Sequence, residues 1–354
     1  VAASGGGTAR RGISATAATS ATSVSTSILS MPECIRTVSH KAYDAGAMVE
    51  DELLATLQSS DDNEAWVATI AAWFEAHDLH YGHGTDNATD EAWWLLRHLQ
   101  GWDEAAWSQP ARSELAEALV RLALERTRSR TPLAYLINEA WFCGIRFYVD
   151  DRVLVPRSPF AEIIERCFTP WLALEPGDRL LDIGTGSGCI AIAAALHCPD
   201  AMVDATDTSV AALEVAQHNV ALHGLQRRVR LHHADLFPGG EGRYRVIMSN
   251  PPYVPAAEYA RLPAEYLHEP KQGLLGGPSG LEPAWAILRK AAGRLTDDGI
   301  VILEVGNQAG EFDAAVPGLE PIWVEFERGG HGVCVVQGER LRELVRSGEL
   351  PESV

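Results

Sequence analysis

Apolar residues recur at spacings of three and four from Glu64 to Ala76 and from Ser113 to Arg126, the period of helices that bury one face. The whole stretch from Val49 to Asn138 reads as helical on this basis. Asp90, just ahead of a tryptophan-rich run, and Ser113, followed by Glu117, read as helix starts. Trp66, Trp73, Trp93, Trp94, Trp102 and Trp107 all fall here, and the pattern predicts that they form the core of a small helical bundle. At Trp141 the period changes. Up to Val155 the chain alternates and is β-rich around Gly144 and Asp150-Asp151, which predicts a hairpin joining two units.

Beyond Gly177 the rhythm is strand, helix, strand. Strands are predicted at Arg179 to Ile183, Met202 to Thr206, Val229 to Ala234, Tyr244 to Ser249, Ile300 to Val305, Ile322 to Phe326 and Val333 to Val336, with helices at Cys189 to His197 and Val210 to Leu222. Such alternation calls for an α/β fold with a doubly wound, mostly parallel sheet and ligands at the carboxyl ends of its strands. The last two strands are separated by the short Arg328-Gly329-Gly330-His331 turn, too short for a parallel crossover, so they should run antiparallel.

Composition bounds the function. A chain of 354 residues, 46% hydrophobic, can bury one full core and a smaller second one. The units expected are an extension over residues 1–47, a helical domain over 48–138, a hairpin linker over 139–160 and the sheet domain over 161–354. Residues 1–30 are mostly Ala, Ser, Thr and Gly; they cannot build a core and resemble either an organellar transit peptide or an upstream extension with Met31 or Met48 as the start. Asp and Glu number 48 against 29 Lys and Arg, a formal charge of -19, which argues against a broad grip on nucleic acid phosphates and suits a basic partner. Six cysteines form no C-x-x-C pair, so neither structural zinc nor disulfides are expected and a reducing compartment is the default. No apolar run reaches membrane-span length. His77, His80 and His83 lack nearby cysteines and read as a helix-end cluster, with no metal expected.

The chemistry gathers at strand ends. Gly184, Gly186 and Gly188 follow the first sheet strand in Asp182-Ile183-Gly184-Thr185-Gly186-Ser187-Gly188, allowing a ligand close to the backbone at a helix N-terminus. Asp207 ends the second strand, where a carboxylate takes both ribose hydroxyls of a nucleoside; Asp235 ends the third, where one accepts from an adenine amine. The fourth ends in Asn250-Pro251-Pro252-Tyr253. Two prolines remove two donors and fix φ, leaving carbonyls aimed into the cleft beside a neutral amide. Together these features resemble class I S-adenosyl-L-methionine-dependent methyltransferases acting on amino groups of planar systems.

The runs Thr131 to Leu136, Val153-Leu154-Val155-Pro156-Arg157, His268-Glu269-Pro270 and Gly276 to Leu281 narrow the resemblance to the HemK-like protein-glutamine methyltransferases. That family methylates the glutamine side-chain amide, and one branch acts on peptide-chain release factors, the other on ribosomal protein L-3 of the large subunit. The release-factor branch usually continues Pro-Arg with Pro-Glu-Thr-Glu. Here Ser158-Pro159-Phe160 follows, and with Tyr81 to Asn87 and Ala140 to Gly144 it resembles the ribosomal-protein branch. The resemblance implies a Rossmann-like sheet, S-adenosyl-L-methionine as cofactor, and a cytoplasmic enzyme whose partner is ribosomal protein L-3, without membrane or direct nucleic acid binding. It implies that Arg157, Asp182, Gly184, Thr185, Gly186, Ser187, Gly188, Asp207, Asp235, Leu236 and Asn250 bind cofactor. Asn250, Pro251, Pro252 and Tyr253 carry the transfer: the Asn250 side-chain oxygen and the Pro251 carbonyl take the amide protons, and Tyr253 packs on the amide. Glu269 is expected to order the loop from Ala256 to Gly280 that lids the site. Competing readings are a release-factor enzyme, a DNA or rRNA amino-methyltransferase, and a non-enzymatic assembly factor with a vestigial cofactor fold, for which lost acids or a broken glycine loop would be expected.

Overall fold

The computed structural model describes residues 50–351, so the expectations for residues 1–47 lie outside it. Helices Glu50–Gln58, Asn63–Glu75, Ala88–Gln100 and Ala116–Ser129 form the first unit. Two predicted helix starts move. Asn87, not Asp90, caps its helix, its side chain accepting from the Asp90 amide at 2.9 Å. Ser113 opens a single 3-10 turn with no side-chain cap, and the regular helix begins at Ala116.

Trp66, Trp73, Trp93 and Trp94 are buried in the core of this unit, whereas Trp102 and Trp107 are partly buried against it. The last two, with Trp93, surround the buried Arg97 guanidinium at 5.4 to 5.5 Å from their ring centres. A buried indole N–H needs an acceptor, and Glu139 Oε1 accepts from Trp94, Trp102 and Trp141.

The hairpin is shorter than predicted. Strands β1 (Ala140–Phe142) and β2 (Ile145–Phe147) pair antiparallel around Cys143 and Gly144, both at positive φ, the geometry of a two-residue hairpin turn. Pairing stops at Phe147 because the Asn219 side chain substitutes for a strand, accepting from the Tyr148 amide at 2.8 Å and donating to its carbonyl at 2.9 Å.

Seven strands make the second unit's sheet: β3 (Arg179–Ile183), β4 (Met202–Asp207), β5 (Val229–His233), β6 (Tyr244–Ser249), β7 (Leu295–Glu304), β8 (Ile322–Trp323) and β9 (Val333–Gln337). Their order is β5-β4-β3-β6-β7-β9-β8. The first five are parallel, and β9 runs antiparallel to both β7 and β8. β7 starts at Leu295, ahead of the predicted Ile300, since the polar run Thr296 to Gly299 is a register shift within the strand rather than a turn before it. β8 is shorter than predicted.

The expectation of no disulfide is overturned: Cys167 and Cys198 are bonded, with Cα atoms 5.8 Å apart. They follow the packed helices Phe160–Glu165 and Cys189–His197. Their separation of 31 residues conceals this proximity from a search for short cysteine motifs. No described helix is long and apolar enough to cross a membrane.

Candidate active site

The carboxyl ends of β3, β4 and β6 open on one cavity of about 300 Å³, the position a doubly wound sheet assigns to its ligand. Gly184 and Gly186 sit there at φ +72° and +55°, and a Cβ added to either would meet no atom within 4 Å. Their backbone faces open space. Gly188 differs, because a Cβ there would stand 3.2 Å from Ile192 and 3.3 Å from Ala216; it serves helix packing.

Asp207 Oδ2 accepts from the Gly186 amide at 2.9 Å and Oδ1 from the Ser209 amide at 2.8 Å. The carboxylate is thereby fixed beside the glycine loop. Asp235 and Leu236 form the next part of the wall; Asp235 is largely exposed, 3.6 Å from Lys290. Leu236 takes φ +67°, and its carbonyl accepts from Thr206 Oγ1 at 2.8 Å. Apolar side chains Val153, Leu154 and Ile287 supply the opposite character.

Six expected cofactor residues therefore meet in the cavity: Gly184, Gly186, Asp207, Asp235, Leu236 and Asn250. Asp182, Thr185, Ser187 and Gly188 lie outside its lining. Asp182 accepts from Thr185 Oγ1 at 2.6 Å, while its buried Oδ1 has no hydrogen-bond partner. Burial pushes its carboxyl up to about 7. Arg157 does not line the cavity either, because its guanidinium is engaged by Glu269. A cradle of bare glycine backbone, a fixed carboxylate at β4 and an apolar wall fit the S-adenosylmethionine that such a fold implies.

Asn250, Pro251 and Pro252 form the wall at the end of β6. Among the described residues no protein hydrogen bond is made by the Asn250 side chain, so its amide is available to a ligand. Tyr253 is not part of the cavity lining; its hydroxyl donates to Glu304 Oε1 at 3.0 Å. The lid packs directly on this segment: Val254 donates to the Leu274 carbonyl and Gly276 to the Val254 carbonyl, both at 2.9 Å. A Cβ on Gly276 would stand 2.6 Å from the Pro252 carbonyl oxygen, which explains the glycine at that position.

The residues that the sequence did not mark as site residues come from both flanks. Arg152 to Leu154 and Pro270, Gln272 and Gly273 close the cavity; Val153, Leu154 and Pro270 belong to motif runs recognised only as strings, and the other three lie just outside those runs. Gln272 Nε2 donates to Thr208 Oγ1 at 2.5 Å. Glu269 secures the lid by accepting from the Val155 amide at 3.0 Å and from Arg157. Burial works to raise its carboxyl, but the Arg157 charge, helped by His83, outweighs this and holds it at about 2. Glu265 accepts from the His80 amide at 3.0 Å and Arg130 Nη1 at 3.1 Å. His80 and His83 pack their rings on Tyr266. His80 and His83 thus join the helical unit to the lid, whereas His77 stays within that unit against Trp73; among the described residues no group of His, Cys, Asp or Glu could hold a metal ion.

Sheet order, glycine cradle, strand-end acids and Asn-Pro-Pro-Tyr define a class I methyltransferase, and the family described as "Methyltransferase small domain" matches residues 166–274. The chain is 43% identical over 271 residues to the ribosomal protein uL3 glutamine methyltransferase of Bordetella pertussis, covering 73% of this chain and 89% of that one. Against the protein of the same name from Neisseria meningitidis serogroup A it is 42% identical over 277 residues, covering 76% and 90%. This chain belongs to the ribosomal protein uL3 glutamine methyltransferase family. A methyltransferase structure from Pyrococcus furiosus aligns at TM-score 0.41 and 21% identity over 63% of this chain and 96% of that one, a likeness that adds nothing to the assignment.

Proposed function

We propose that this protein transfers the methyl group of S-adenosylmethionine to the side-chain amide nitrogen of a glutamine in ribosomal protein uL3, in the cytoplasm. The observation that carries the reading is Asn250, an unpaired amide on the cavity wall beside the rigid Pro251-Pro252 backbone.

An amide nitrogen is a poor nucleophile because its lone pair is delocalised into the carbonyl. The bound cofactor supplies an electrophilic methyl on a sulfonium. The protein must align the nitrogen and favour positive charge on it. The Asn250 side-chain oxygen and the Pro251 carbonyl would accept hydrogen bonds from the two N–H groups of the amide, directing the lone pair at the methyl, and one of these protons leaves after transfer. Pro252 shapes the slot, and Tyr253 braces it. Among the described residues the carboxylates lining the cavity are Asp207 and Asp235, both assigned to the nucleoside, and Glu269 is occupied by Arg157. The departing proton therefore goes to solvent. Gly184, Gly186, Asp207, Asp235 and Leu236 hold the cofactor directly, with Asp182, Thr185, Ser187 and Gly188 shaping the loop from behind.

The helical unit over residues 48–138 is assigned to substrate recognition, the linker over 139–160 and the methyltransferase domain over 161–354 to placing the cofactor under the lid. A formal charge of -19 suits a basic ribosomal protein, with an attraction that weakens in salt. The test is incubation with labelled S-adenosylmethionine and separate uL3, release factors and RNA. Label on a uL3 glutamine supports the reading; label confined to release factor or RNA overturns it.

A further inference from the structure

β7 ends on Glu304, a buried carboxyl to which the transfer described above gives no role. Ser249 of β6 pairs with Leu303 of β7, so Asn250 and Glu304 are the next residues along two adjacent parallel strands. Glu304 is 3% exposed and both its oxygens are engaged. Tyr253 donates its hydroxyl proton to Oε1 at 3.0 Å, and Ser158 Oγ donates to Oε2 at 2.5 Å. The Tyr253 ring lies so close to Gly306 that a Cβ there would stand 2.6 Å from it. Ring and hydroxyl are thus held from two sides.

A neutral amide could have accepted from the tyrosine at lower desolvation cost. The carboxyl adds a charge that depends on pH. Burial raises it, against the Ser158 and Tyr253 hydroxyls and the Arg157 charge, to about 7. Among the described residues, those three groups are the titratable, charged or hydroxyl-bearing ones acting on it. Ionised, Glu304 accepts from both hydroxyls. Protonated, it must donate one bond itself, and either Ser158 or Tyr253 has to turn.

We propose that ionised Glu304 is a positioning residue for methyl transfer: it fixes Tyr253 as the brace of the acceptor slot and sets a negative charge one strand from the nitrogen that becomes positive. This rests on the transfer at Asn250 proposed above. Asp182 titrates in the same range, but it lies behind the cofactor loop, so its ionisation is read in cofactor affinity and that of Glu304 in the transfer rate.

The experiment measures single-turnover methylation of purified uL3 by the whole enzyme from roughly pH 6 to 9, with cofactor Kd measured alongside. Wild-type transfer should slow on the acid side of neutrality. Glu304→Gln should lower the rate by about ten- to a hundredfold and abolish that acid limb, with cofactor Kd changed by less than about twofold. Glu304→Asp should restore part of both rate and limb. A second readout needs no acceptor: with tyrosine labelled at Cζ with 13C, the Tyr253 resonance, identified by its loss in Tyr253→Phe, should titrate near neutrality in wild type and not in Glu304→Gln. A Gln variant that keeps rate and acid limb, or a Tyr253 resonance that does not titrate, overturns the proposal. If uL3 stays unmethylated while Tyr253 titrates as stated, the substrate reading falls and the coupling of Glu304 to Tyr253 is supported.

Discussion

Arg157 and Glu269 form a two-pronged pair, Nη1 2.5 Å from Oε1 and Nη2 2.6 Å from Oε2, which fastens the lid to the linker. Removing the carboxylate takes from a largely buried cation its two-pronged counter-charge, so Glu269→Ala should cost about 3 to 5 kcal/mol in denaturant unfolding. The depressed carboxyl also fixes a sign. Its stabilisation is fully present above the ordinary value of 4.5 and is lost as pH falls towards about 2. Over that window wild type should lose more stability than Glu269→Gln.

Asn250→Ala should abolish methyl transfer while leaving cofactor Kd within about threefold, because the residue is assigned to the acceptor. Calorimetric titration with S-adenosylhomocysteine against a labelling assay separates the two effects. A large loss of cofactor affinity alone would contradict the assignment.

Asp207→Ala should do the reverse. Loss of a charge-assisted ribose contact should raise cofactor Kd by about one to two orders of magnitude. Measured at saturating cofactor, transfer should recover most of its rate.

Gln272 and Thr208 meet across the cavity mouth, from the lid and the loop after β4. Gln272→Ala should speed cofactor release by about three- to tenfold, with a smaller change in the binding rate, in stopped-flow displacement.

Gly280, at φ +84°, lies against the Tyr253 carbonyl so closely that a Cβ would overlap it. Gly280→Ala should push the lid off the Asn-Pro-Pro-Tyr segment and cost about 1 to 3 kcal/mol, with transfer reduced more than cofactor binding.

The sheet was legible because each buried strand is a short apolar run flanked by glycine or acid, and the strand-end position of Asp207 or Asn250 follows from that boundary alone. Asn219 was not legible. It sits within an ordinary helical pattern, yet it ends the hairpin by binding the Tyr148 backbone from 71 residues away. The same holds for the lid: Glu265 and Glu269 work through His80, Arg130, Val155 and Arg157, contacts set by tertiary packing. The Tyr81 to Asn87 run was legible as a mark of the branch, but its role was not. Gly82 and His83 press on Tyr266, so the run supports the lid. Arg157 was assigned to the cofactor on resemblance; its two bonds to Glu269 were not legible in the sequence. Ser158 stood out as a departure from the release-factor pattern, and Glu304 is the partner that gives the departure its chemistry.

The apolar core of the helical unit continues through Val149, Val153 and Val155 to Ala212 and Val215, on the helix Val210–Leu222 that begins three residues after Asp207. Ligand binding at that acid and melting of the tryptophan core are therefore thermodynamically linked. The protein should unfold as one cooperative block, and saturating cofactor should slow hydrogen exchange at amides around Trp66 and Trp94 as it does at the sheet edge.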